Sequence, residues 1–135
     1  MYEFHGWFRL GESTYDDDVP RLQQVVSEVE AILAGLSWTS ARFHLGNLNG
    51  EYFLTMTGLP NRRRDEAAQV DALLALIAEK LPGSYGLLYE QDDEMPVPPG
   101  PNAFRVRVLA RGRISLRLDP FLSPTIPTTE DELEC

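Results

Sequence analysis

The chain has 135 residues, 12 basic and 21 acidic, for a formal charge of −9 and a sequence pI near 4.6. That length fits one domain, and 43% hydrophobic with 24% charged residues excludes a chain disordered throughout. The acidity argues against nucleic acid and against an anionic membrane surface, since both require a basic footprint.

Residues 1–10 alternate, with Tyr2, Phe4, Gly6, Phe8 and Leu10 on one face and Glu3, His5, Trp7 and Arg9 on the other, which predicts a strand. These residues lack the basic start and long apolar stretch of a signal peptide. No apolar run approaches the roughly 18 residues of a membrane span. The polar, acidic stretch Gly11–Asp18 reads as a loop. Over residues 19–36, Leu22, Val25, Val26, Val29, Ile32, Leu33 and Leu36 form one helical stripe, with Pro20 in the first turn. Strands are expected at 41–46 and 51–58 around Asn49-Gly50, a dipeptide suited to the positive φ angles of a type I′ turn. Their inward set is Ala41, Phe43, Leu45, Tyr52, Leu54 and Met56. Residues 64–81 form a second amphipathic helix on Ala67, Val70, Leu73, Leu74, Ile77 and Leu81, stopped by Pro82-Gly83. Leu33 and Leu74 are expected to be buried between the helices and the sheet.

A strand at 84–90 precedes an acidic, proline-rich loop from Gln91 to Pro101. The last hairpin is expected at 103–109 and 113–118 with a three-residue turn, Ala110-Arg111-Gly112. That register places Val108 opposite Ile114 and Val106 opposite Leu116, all four inside. It also sets Arg105 opposite Arg117, with Arg107 and Arg113 on the same outer face, and like charges directly opposite destabilise a sheet. Glu90, the acidic C-terminus or an external anion could answer them. Phe121, Leu122 and Ile126 are expected to pack on the body. The order βαββαβ followed by a hairpin makes the fold α+β: two helices on one face of a mainly antiparallel sheet, with a ferredoxin-like core and an extended C-terminal segment. Residues 1–129 are expected to form one domain, and 130–135 an acidic tail.

Chemistry-bearing residues are sparse. His5 and His44 lie on separate strands, and the only cysteine, Cys135, is the last residue, so no zinc spacing and no internal disulfide exists; a reducing cytoplasm is the expected compartment. Ser84 lacks a nucleophile-elbow motif and reads as part of a helix stop. Asp16, Asp17 and Asp18, like Asp92, Asp93 and Glu94, admit three readings: divalent cation, solvated loop or partner contact. Asn61-Arg62-Arg63-Arg64 opens the second helix as an anion site or as charge neutralised by Asp65 and Glu66.

Several phrases taken in order are more specific. Tyr2-Glu3-Phe4-His5-Gly6-Trp7, Asn49-Gly50-Glu51-Tyr52, Gly83-Ser84-Tyr85-Gly86-Leu87-Leu88-Tyr89 with Asp92-Asp93-Glu94, Arg111-Gly112 and Asp119-Pro120-Phe121-Leu122-Ser123-Pro124 resemble the immunity protein 7 family of bacterial polymorphic toxin systems. The proline-rich Met95–Pro101 segment departs from that pattern. The resemblance implies an α+β fold, no catalytic residues, no metal and no cofactor. It further implies a partner, the cognate toxin domain, bound in the producer's cytoplasm. On physical grounds, acidic loops that mimic phosphate would suit a basic, nuclease-type partner. The candidate contacts are Asp16, Asp17, Asp18, Asp92, Asp93 and Glu94, with Trp7 and Tyr15 as aromatic anchors. The alternative is a regulatory domain binding a small anion through the arginine face.

Overall fold

The computed structural model describes residues 1–130 except Thr14, Ser37 and residues 62–64. Among these, six strands form one antiparallel sheet in the order β2-β3-β1-β4-β5-β6. They are β1 (Tyr2–Leu10), β2 (Ala41–Leu48), β3 (Glu51–Gly58), β4 (Tyr85–Asp92), β5 (Arg105–Ala110) and β6 (Arg113–Leu118). The helices are α1 (Val19–Ala34), α2 (Asp65–Lys80) and a single turn, α3 (Thr125–Thr128). The first four strands have the neighbours expected of a split βαββαβ core, and the last hairpin extends the sheet beyond β4.

Periodicity carries most of this. The alternate residues Tyr2, Phe4, Phe8 and Leu10 are buried beneath Leu22, Val25, Val26 and Val29 of α1 and Val70, Leu73, Leu74 and Ile77 of α2. Phe8 sits opposite Gly86, where a Cβ would come within 2.0 Å of the Trp7 carbonyl oxygen, so only glycine lets β4 lie this close to β1. Asn49 and Gly50 both have positive φ and close the β2–β3 hairpin in two residues, bringing Phe43, Leu45, Leu54 and Met56 to the helix side. Leu74 is buried as expected, but Leu33 is only partly buried. The stripe loses cover near its end, and α1 stops at Ala34, where the Gly35 N–H bonds back to the Ala31 and Ile32 carbonyls.

The last hairpin corrects the expected register. Arg111 and Gly112 both take positive φ, so the turn has two residues rather than three. Leu109 faces Ile114, Arg107 faces Leu116 and Arg105 faces Leu118. A one-residue shift reverses the parity of one strand against the other. Arg105 and Arg107, paired with the buried Glu90 and Leu88 of β4, lie on the helix side, while Arg113 and Arg117 lie on the open side with Val106 and Val108. Of the four residues expected inside, only Val106 is buried, and it is on the helix-free face.

Glu90 accounts for the arginines on the helix side. Its carboxylate, fully buried on β4, accepts from Arg105 Nε at 3.1 Å, Arg107 Nη2 at 2.9 Å and the Tyr2 hydroxyl. Arg107 Nε approaches Oε1 at 2.8 Å off the line of its N–H, an ionic contact rather than a directed bond. Asp71 of α2 takes Arg107 Nη1 at 2.5 Å. Burial by itself lowers the pKa of the Arg107 guanidinium, but Glu90 and Asp71 more than offset this and hold it above its ordinary value.

The C-terminal segment also differs from expectation. Phe121 is 76% exposed, and Leu122 and Ile126 are exposed too. Polar bonds hold the segment instead. The buried Asp119 carboxylate accepts from the Phe121 and Leu122 N–H groups and the Ser123 hydroxyl. Asn102 bonds both backbone groups of Ile126. The apolar side chains are thus carried outward by a scaffold that satisfies the backbone first. The expectations for Arg62, Arg63 and Arg64 and for residues 131–135 lie outside the described residues.

Candidate functional site

Where β1 ends, the chain turns into the acidic loop and docks on the turn that follows α2. The Gly11 N–H donates to Ser84 Oγ at 3.0 Å, and the Ser84 hydroxyl donates back to the Gly11 carbonyl at 3.3 Å. Ser84 is buried, so its role is to clamp these two segments. A Cβ on Gly83 would lie 2.3 Å from the Ser13 carbonyl oxygen, so the loop can approach only because residue 83 has no side chain.

The three aspartates then divide their labour. Asp17 Oδ1 accepts from the Glu12 N–H at 2.6 Å and the Ser13 N–H at 3.0 Å, which folds the loop on itself. Asp18 is the N-cap of α1, accepting from the Arg21 N–H at 3.3 Å. Asp16 is exposed and has no hydrogen bond or ion pair among the described residues, and Tyr15 beside it is 96% exposed. The loop and the opposing turn line an open cleft of about 660 Å³ to which Asp16, Asp17 and Asp18 bring negative charge. Arg111, from the β5–β6 turn, completes the wall. Sequence reading missed Arg111 as a site residue because the contact needs the hairpin's tertiary position.

The second acidic cluster lies at the other end of β1, since Tyr2 pairs with Asp92 and Arg9 with Tyr85. The two clusters are separated by roughly 26 Å of strand at about 3.3 Å per residue. They form no single patch. Asp92 is buried and accepts from the Glu94 N–H at 3.0 Å, and Asp93 faces the Met1 amino group at 2.7 Å. Glu94 remains exposed.

Trp7 stands mid-strand on the helix-free face, edge-on to Tyr85 at 6.2 Å between ring centroids. Arg9 bonds the Tyr85 hydroxyl at 3.2 Å and pairs with Glu51 at 3.0 Å. Trp7 and Tyr15 therefore belong to different surfaces. The anion-binding face of four arginines is not assembled, because two of the four are consumed by Glu90 and the other two point away from them. On the same open face His5 lies between Thr57 Oγ1 at 2.5 Å and Glu3 Oε2 at 2.6 Å. Among the described residues no group of three or more His, Cys, Asp or Glu could hold a metal ion. No described helix is long and apolar enough to cross a membrane.

No curated protein and no solved structure matches this chain. The family model described as Immunity protein 7 matches residues 1–131. With nearly the whole length matched, the chain belongs to the immunity protein 7 family.

Proposed function

We propose that this immunity protein neutralises a secreted or contact-delivered toxin domain by binding it in the producer's cytoplasm, and that it makes contact through the loop Gly11–Asp18. The observation that carries the reading is the pairing of Tyr15 with Asp16. One is an almost fully exposed aromatic, and the other, next in the chain, is an unengaged carboxylate that lines an acidic cleft. Aromatic side chains are the commonest energetic anchors of interfaces, and exposed charge of one sign steers a partner of the other. A basic cleft, as in a nuclease, has the complementary chemistry. Asp92 is buried, so Asp93 and Glu94 are the contacts that remain at the far end, and Trp7 would serve only a partner reaching the open face. Residues 1–129 act as the binding domain and 130–135 as an acidic appendage.

The test is stopped-flow association with the cognate toxin domain, over a salt series. Exposed charges are screened as the Debye length falls from about 10 Å at 0.1 M to about 3 Å at 1 M. Association of the wild type should slow with salt far more than dissociation quickens. Asp16→Asn should lower the on-rate and its salt slope with no change in stability, whereas Asp17→Asn and Asp18→Asn should also cost stability. Equal on-rates for wild type and Asp16→Asn would exclude steering from this loop.

A further inference from the structure

The hairpin from Arg105 to Leu118 carries five of the chain's 12 basic residues and no acid, in a protein of charge −9. Arg105 and Arg107 are neutralised by Glu90 and Asp71. Arg111, Arg113 and Arg117 have no ion pair among the described residues. The last two stand on β6, an edge strand with a neighbour only on its β5 side. On the opposite face of β6, Ile114, Leu116 and Leu118 are 38%, 57% and 60% exposed. The other sheet edge is built differently: on β2, Phe43 and Leu45 are half-buried, and Trp38 packs edge-on to Phe43 at 5.2 Å. Charges on a free edge deter self-pairing, which would explain the arginines alone. They do not explain three aliphatic side chains in register and exposed on the other face.

We propose that β6 is an acceptor strand: its free edge receives an extended segment of the toxin domain, so this inference rests on the neutralisation reading and specifies its second contact. An added strand satisfies the unpaired backbone groups of β6, and its side chains alternate between the two faces. Next to Arg113 and Arg117 the complementary residues are acidic; next to Ile114, Leu116 and Leu118 they are apolar. The incoming segment therefore alternates acid and aliphatic. The edge is continuous with the acidic cleft, because Arg111 lines that cleft and β6 begins two residues later. One partner can thus present a basic surface to Asp16 and an acidic–apolar strand to β6.

Two measurements on the full chain test this. In the first, a peptide of about seven residues alternating Leu and Glu is titrated into isotope-labelled protein. Amide shifts confined to residues 105–118 are expected, with none from the matching Leu–Lys peptide; equal response to both peptides would overturn the charge argument. In the second, Leu116→Asp and the double variant Arg113→Glu with Arg117→Glu are assayed for toxin binding after their melting is shown to be wild type. Each should raise Kd at least about tenfold. If both bind within twofold of wild type, the edge proposal falls while the neutralisation reading stands. If wild type forms no complex with the toxin, both fall. A concentration-dependent dimer abolished by Leu116→Asp would give the edge to a second copy and overturn the proposal.

Discussion

Replacing Glu90 with Gln should destabilise the protein by about 3 kcal/mol, through charge rather than shape. The glutamine is isosteric, so no cavity opens, and the Tyr2 hydroxyl keeps an acceptor. What is lost is the anion between two guanidinium groups, at a position with no solvent exposure. Removing one partner of a buried pair costs about 3–5 kcal/mol. The lower end applies because Arg107, with 11% of its side chain exposed, retains Asp71, and Arg105, at 21%, can turn toward water. For a domain of this size, about 3 kcal/mol corresponds to a fall of roughly 10 °C in Tm. Urea unfolding with an unchanged m-value would measure it. The charge argument makes a second demand: Glu90→Leu combined with Arg107→Met should recover most of the loss. A cost below about 0.5 kcal/mol for Glu90→Gln, or strict additivity of the two changes in the cycle, would refute the reasoning.

Leu74→Ala should cost about 2–5 kcal/mol, and Leu33→Ala clearly less because its site is only partly closed; equal losses by chemical denaturation would contradict the packing described. Gly86→Ala should destabilise by at least about 1–3 kcal/mol, since its methyl group meets the β1 backbone, and thermal melting would show it. Gly83→Ala should disturb the acidic loop more than the core, seen as faster hydrogen exchange at the Gly11 amide while the strand amides stay protected. Truncation after Thr129 should change stability by no more than about 0.5 kcal/mol, and a larger loss would make the last six residues part of the domain.

The amino-acid sequence by itself determined the elements and most of the core. Strict alternation in residues 2–10, helical spacing from Leu22 to Val29 and from Ala67 to Leu81, and the Asn49-Gly50 turn each have one structural solution, because period and turn chemistry are local properties. The ordered phrases also pointed to the family, whose model matches residues 1–131. Tertiary structure decided the rest. Arg111 has a Cβ, and nothing local shows that it will take positive φ; that angle shortens the turn and sets Ile114, Leu116 and Leu118 on the same face as Arg105 and Arg107, which the pairing of β5 with β4 turns toward Glu90. The two acidic clusters looked equivalent along the chain. In the fold they lie at opposite ends of β1: Asp16, Asp17 and Asp18 line one cleft with Arg111, whereas Asp92 is buried. Hydropathy likewise placed Phe121, Leu122 and Ile126 inside, but Asp119 and Asn102 bind that segment's backbone and hold them out. Side-chain period is written in neighbouring residues; which face is covered, and which charge finds a partner, depends on residues far away in the chain.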